Sequence, residues 1–441
     1  MKKVFYLIVA FVMLAGFSAC DKDASNKPET PHAPVPTVNY KGLAFISSGE
    51  STVRLAQVGT PYEISLEYST DESQWKPYTI GETITLADST FLLLRDGEHR
   101  NRRFSKDTEN YYHFEISGPI SAQGNIMSLL NRNFSTPLSE YVFFALFEGC
   151  TSLLSAPELP ATTMEYGCYA QMFSGCTALK SAPELPAEVL AVNCYQRMFR
   201  GCSTLTSAPK LPATTMAQSC YFGMFSECTE LTSAPELPAK VLASNCYGMM
   251  FKGCSALTSA PELPATEMKS YCYNSMFANC TSLKFAPELP AKRLESNCYL
   301  CMFEGCTSLT SAPELLATYL VKECYHSMFN GCTSLTSAPK LPATTLEWGC
   351  YSEMFQGCTS LTSAPELPAK ELIRNCYQLM FKDCSKLRYV KALFTTGPSE
   401  ETTKDWLSGV AASGTFVKSK NATWNVTGVH GIPNGWKIET Q

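Results

Sequence analysis

The stretch CYAQMFSGCTALKSAPELPA, residues 168–187, joins two halves of different periodicity and recurs in variant form along most of the chain. Its "GC" cysteine returns at Cys150, Cys176, Cys202, Cys228, Cys254, Cys280, Cys306, Cys332, Cys358 and Cys384. Its "CY" cysteine returns at Cys168, Cys194, Cys220, Cys246, Cys272, Cys298, Cys324, Cys350 and Cys376. Both columns step by 26 residues without an insertion. A fixed period of that size marks a solenoid, because one unit cannot bury its apolar face alone and is covered by the next. In the first half, Met164, Cys168 and Met172 are spaced i, i+4, i+8 with Tyr169 and Phe173 alongside, which predicts a short helix. Gly175 stands where such a helix would end in a left-handed residue. In the second half, Leu153, Ala156 and Leu159 are interspersed with Pro157 and Pro160. Proline drives its predecessor toward extended geometry and removes an amide donor, so a parallel strand of only about two to four residues per coil is expected.

The run "MFxGCTSL" followed by "SAPELPA" resembles the BspA-like, Treponema-type leucine-rich repeats over about Tyr141 to Leu393. "SAPELPA" departs from that pattern by an extra residue and an extra proline. The resemblance implies an α/β leucine-rich-repeat solenoid of short parallel strands and short helices. It also implies a cell-surface protein that adheres to host or bacterial proteins. It carries over no catalytic residue.

The two cysteine columns hold 19 of the 21 cysteines, leaving Cys20 and Cys301. A secreted chain meets oxidising conditions, so a disulfide framework is one reading. Against it, the first half-unit "YVFFALFEGC" carries Val142 in the "CY" column, with Phe143, Leu146 and Phe147 in the Tyr, Met and Phe columns. A slot that accepts Val is a small apolar core slot, and a free cysteine behaves as a small buried hydrophobe. Nineteen is also odd, so the array cannot pair completely within itself. Buried thiol ladders are the reading preferred here. "CYLC", Cys298 to Cys301, is a lone CxxC with Cys306 and His326 nearby in the chain, short of the four converging ligands of a structural zinc site. No metal or cofactor is expected.

Outside the repeats, "MKK", an apolar run of about 14 residues and "FSAC" read as a secretory signal over 1–20, too short for a membrane span. Its end resembles a bacterial lipobox, which implies a lipid on Cys20. The Pro-rich charged stretch 21–35 reads as a tether, and its acidic start resembles surface-export signals of lipoproteins. Over 36–118 the period changes to two, as in "EISLEYS" and "YYHFEIS", which predicts a small all-β sandwich domain. Residues 119–140 read as a junction and N-terminal cap, 141–393 as the array and 394–441 as a C-terminal cap. In that cap Ser399 with the acidic residues behind it signals a helix start. Trp406, Trp424 and Trp436 are expected to pack on the last coil.

A net charge of −5 with no dense Lys/Arg run gives no footprint for nucleic acid. The five histidines fall in no HExxH and no Ser-His-acid order, and no phosphate-cradling glycine motif is present, so no enzyme is expected. One column stands out as a candidate ligand surface: Glu158, Glu184, Lys210, Glu236, Glu262, Glu288, Glu314, Lys340 and Glu366. Beside it runs a Thr/Lys column that includes Thr162, Lys240, Lys292 and Lys370. The plain reading is a solvated face with weak charge pairs between coils, and the functional one is an acidic stripe for a protein or glycan. Variable positions Tyr166, Arg197, Tyr271, Trp348 and Arg374 alternate with fixed core ones. The sequence therefore points to a lipid-anchored binding protein at the cell surface or outer membrane, touching the membrane through its anchor only. Its expected ligand is a host or bacterial surface protein. The alternative is a carbohydrate-binding accessory protein whose sandwich holds a glycan; its candidate platform, Trp75, also suits a core residue.

Overall fold

A computed structural model describes residues 36–97 and 101–441; the signal, the tether and Cys20 lie outside them. The first half of each coil is not a helix. Three residues per coil hold a left-handed backbone: Gly167, Gln171 and Gly175 at φ +57°, +57° and +74°, then Asn193, Arg197 and Gly201 at +57°, +52° and +71°. The same three columns continue to Asn375, Leu379 and Asp383. A residue with positive φ at every fourth position cannot belong to an α-helix. The predicted short helices, and with them the α/β description, are therefore corrected to a β-solenoid whose coils contain a staircase of overlapping turns.

The hydrogen bonds explain the staircase. The N–H groups of Cys168, Ala170, Met172, Ser174 and Cys176 donate to carbonyls three residues back, at 3.0–3.3 Å. The intervening N–H groups of Gly167, Tyr169, Gln171, Phe173 and Gly175 donate to Val192, Cys194, Gln196, Met198 and Arg200 of the next coil, at 2.7–3.0 Å. A helix would close every amide on itself and leave the coils joined by side chains alone. It would also drift by about 40° every four residues, whereas the turns repeat every four and keep Cys168, Tyr169, Met172, Phe173 and Cys176 all fully buried. A left-handed non-glycine residue costs about 1–2 kcal/mol, and the cross-coil hydrogen bonds and ring stacks offset it.

Phenylalanines stack from Phe147 to Phe381 with ring centroids 5.3–5.8 Å apart. Tyrosines stack from Tyr169 to Tyr377 at 5.7–6.0 Å. Each pair contributes about 0.5–1.5 kcal/mol beyond its buried area. From Cys176 onward each thiol of the "GC" column donates to a phenylalanine carbonyl 29 residues earlier: Cys176 to Phe147 at 3.0 Å, Cys254 to Phe225 at 3.1 Å, Cys384 to Phe355 at 3.0 Å.

The extended half shrinks further than expected. Strands β9 (Leu153–Ser155) and β10 (Ser363–Leu367) stand near the ends of the array, and between them lie isolated parallel bridges such as Ser181 with Ser207 and Phe285 with Ser311. The aligned prolines remove the donors that a longer ladder would use.

At the N-terminal end, β1 (Ala44–Ser47), β3 (Leu66–Ser69), β4 (Lys76–Tyr78), β6 (Phe91–Asp96) and β8 (Ile120–Gln123) share one sheet. Strands β2 (Ser51–Val58), β5 (Thr83–Leu86) and β7 (Tyr111–Ser117) form a second sheet, and both sheets feed one hydrophobic core. This region imitates a coil. Phe104 and Phe114 donate their N–H to Val142 and Leu146 at 2.8 and 2.7 Å, the bonds that Tyr and Phe rungs make elsewhere. The Phe114 ring stacks on Phe147 at 5.1 Å, and its carbonyl accepts from the Cys150 thiol at 3.0 Å. Strand β8 then pairs in parallel with β9. The described residues, from 36 onward, accordingly form one structural unit.

At the other end the 26-residue step runs on past Leu393. Strand β11 (Tyr389–Ala392) pairs in parallel with β10 and with β12 (Thr415–Lys418), which pairs with β13 (Lys437–Thr440). The helix signalled at Ser399 is one turn, α1 (Glu400–Thr403). The N–H groups of Tyr377, Leu379, Phe381 and Asp383 donate to Thr402, Lys404, Trp406 and Ser408 at 2.7–3.1 Å, and Asp405 and Gly409 are left-handed at +52° and +76°. This is an eleventh coil in which Trp406 takes the Met place. Trp406, Trp424 and Trp436 are buried, and their indole N–H groups donate to Gly431, Phe394 and Ala411.

Candidate functional site

The "SAPELPA" segments build one outer face. Their leucines and terminal alanines, such as Leu263 and Ala265, are buried, while all nine residues of the candidate column, Glu158 to Glu366, are exposed. Thr162, Lys240, Lys292 and Lys370 are exposed beside them. Of this column only Glu366 forms an ion pair among the described residues, 2.8 Å from Lys391 of the next coil. Two grooves meet here across consecutive coils. One, of about 560 Å³, lies between 260–264 and Pro287, Glu288 and Pro290. The other, of about 260 Å³, lies between 286–290 and Pro313, Glu314 and Leu316. Among the described residues the only backbone pairing at 260–265, 286–291 and 312–317 is at the bridge that joins Phe285 to Ser311, so most peptide groups of the groove walls have no backbone partner.

Sequence reasoning missed the apolar residues beside this groove. Phe285, Leu316 and Tyr319 are 64%, 39% and 79% exposed. The signal was present: Phe285 occupies a column that is serine from Ser155 to Ser363, and Leu316 one that is otherwise proline from Pro160 to Pro368.

The variable positions mostly tie one coil to the next. Tyr166 packs on Tyr141 at 5.1 Å and accepts from Asn193 Nδ2 at 3.0 Å, Arg197 lies over Phe222, and Lys322 lies 4.4 Å over Trp348. Tyr271 and Arg374 are exposed. In the N-terminal sheets Trp75 is half-buried, with the Arg95 guanidinium 3.8 Å from its ring centroid and Tyr40 packed at 5.2 Å. Arg95 is itself fixed by Glu67 at 2.7 Å, so one flat face that a sugar would need is already occupied.

The cysteines from Cys150 onward are free thiols, all buried except half-buried Cys301. Burial pushes Cys168 and Cys254 up to about 12. Burial, then the neighbouring Glu304 carboxylate, does the same to Cys301. A thiolate is thus disfavoured throughout, the opposite of what a nucleophile or metal ligand requires. Cys298 and Cys306 sit in separate ladders, and among the described residues no three His, Cys, Asp or Glu side chains converge on a metal-sized site. Unfolded without reductant, the protein should titrate with close to all 19 array thiols against a chromogenic disulfide reagent. A count near zero would replace the ladders by disulfides.

Residues 132–258, 195–312 and 288–396 match the family model described as the BspA type leucine rich repeat region, in six copies. Together they run from 132 to 396, more than half of the chain. No curated protein matches it.

Proposed function

This chain belongs to the BspA-type leucine-rich repeat family, and from that premise we propose that it is a lipid-anchored cell-surface protein that adheres to a protein ligand through the exposed Pro-Glu face of its coils. The observation that carries the reading is that face. A ring-stacked scaffold holds a line of exposed carboxylates, and most peptide groups of the groove walls have no backbone partner. A scaffold that spends its core on identical rungs has its chemical variety left for the surface. The anchor rests on the signal and Cys20, and among the described residues no helix is long and apolar enough to cross a membrane. The covered face of Trp75 gives the glycan alternative no support.

Cells producing the protein should lose it to externally added protease, and Cys20→Ser should move it from the detergent phase to the aqueous phase. Resistance of the wild type on intact cells defeats the surface assignment. Retention of Cys20→Ser in the detergent phase defeats the anchor.

A further inference from the structure

We infer that the groove crossing the coils at 260–264, 286–290 and 312–316 binds an extended, basic segment of the partner that also carries apolar side chains; this rests on the adhesive reading above. The repeat supplies its own control for what the fold requires. Coils with serine at the place of Phe285 and proline at the place of Leu316 adopt the same geometry, so neither apolar side chain is needed to build a coil. Exposed apolar surface forfeits about 25 cal/mol per Å² until something covers it. Both departures fall on adjacent coils beside one groove: Leu316 lines it, and Phe285 directly precedes the lining residue Ala286.

The polar groups specify what the cover must carry. Glu262, Glu288 and Glu314 line the grooves and are exposed, and among the described residues Glu366 alone of their column forms an ion pair. With Glu236 they make four successive glutamates, bracketed in the column by Lys210 and Lys340. The backbone adds to the imbalance. The run 286–291, Ala-Pro-Glu-Leu-Pro-Ala, offers four N–H groups against six carbonyls, and beyond the Phe285–Ser311 bridge it makes no backbone pairing with another coil. The groove lining is therefore rich in acceptors, poor in donors and negative, with Lys284 and Lys292 exposed outside it, and its complement is a chain that brings Lys or Arg. The proline rings and Leu316 give the methylene stems of such side chains an apolar floor.

Spacing favours an extended segment. Phe251, Phe277 and Phe303, one in each of these coils, have ring centroids 5.7 Å apart, and side chains on one face of an extended chain recur at a comparable spacing of about 6.6 Å. Cationic residues at alternate positions then meet successive carboxylates, with the intervening side chains free to cover Phe285 and Leu316. A metal ion is not the occupant, because these carboxylates do not converge.

The test uses the full chain and short capped peptides of alternating lysine and phenylalanine, or of alternating glutamate and phenylalanine. The lysine peptide should bind, and the glutamate peptide should not. The triple variant E262Q/E288Q/E314Q should weaken binding about tenfold at low salt, a difference that closes near 0.5 M salt as the charges are screened. F285S/L316P installs residues the other coils already carry, and should weaken binding about tenfold at both salt levels. Unfolding midpoints equal to the wild type keep both variants interpretable. Equal binding of the two peptides, or no loss in either variant, overturns the groove assignment. On cells, undiminished adhesion of the triple variant beside an adhering wild type also overturns it. A wild type that fails to adhere overturns the adhesive reading instead.

Discussion

Above pH 9 the protein is expected to unfold abruptly, not to titrate group by group. Burial pushes the thiols of Cys168, Cys202, Cys220, Cys254 and others up to about 12 from an ordinary 9.0. It drives others, such as Cys176 and Cys280, well above 9.0, with neighbouring thiols of the same ladder adding to the effect. The ladder tyrosines rise well above 10.0 for the same first cause, as at Tyr247 and Tyr273. These groups are neutral when protonated, and their folded values lie above their unfolded ones. Their contribution to stability is complete below about pH 9 and is lost as pH rises from there toward 12, because the unfolded chain releases protons that the folded chain keeps.

Each such group lowers stability by about 1.4 kcal/mol per pH unit inside its window. Nineteen array thiols and nine ladder tyrosines share overlapping windows. Against a net stability of about 5–15 kcal/mol for an ordinary domain, the summed slope exhausts the fold within a small fraction of the range. Thiolate and tyrosinate absorbance should therefore rise together with the loss of circular dichroism, in one steep step. Thiolate absorbance that climbs gradually from pH 8.5 while the dichroism holds would show that the ladders are open to solvent, and the core assignment would fail with it.

The repeat period, the burial of both cysteine columns and the exposure of the Glu158–Glu366 column were legible in the sequence, because each depends on which residues recur at a fixed spacing. The backbone was not. A spacing of i, i+4, i+8 is shared by a helix at 3.6 residues per turn and a staircase at 4.0, and three rungs are too short to separate them. The distinguishing signal was the column Gly167, Asn193, Ser219, Asn245, Tyr271, Asn297, Glu323, Gly349, Asn375, six of whose nine residues are the Gly or Asn that tolerate left-handed backbone. The same blindness hid the eleventh coil. Thr402, Thr403, Trp406 and Leu407 keep the places of the Cys, Tyr, Met and Phe columns but not their identities. The groove escaped for another reason: consensus reading discards departures, and Phe285 and Leu316 are departures.

Phe251→Ala, in the middle of the array, should cost about 3–5 kcal/mol, the range for emptying a fully buried aromatic site. The Phe251 ring is fully buried between Phe225 at 5.8 Å and Phe277 at 5.7 Å. Neither neighbour can slide into the void, because each is fixed in its own coil by its own cross-coil bonds, Phe225 N–H to Met250 and Phe277 N–H to Met302, both at 2.9 Å. Solenoid stability sums coil terms and nearest-neighbour terms, so the loss falls on the two interfaces that join the N-terminal coils to the C-terminal ones. The N-terminal half keeps its zeroth rung, Phe114 on Phe147, and the C-terminal half keeps the buried Trp406. Urea unfolding should then change from one transition to two, each half melting from its uncapped side. Cys246→Val, five residues earlier in the same half-coil, is the matched control. Val142 fills the same column with no exposure, and Val adds one heavy atom to the Cys side chain, so this change should cost less than about 1.5 kcal/mol and leave a single transition. A Phe251→Ala protein that unfolds in one step at the wild-type midpoint would mean that the ring stacks carry none of the coupling, and that the alternating amides alone hold coil to coil.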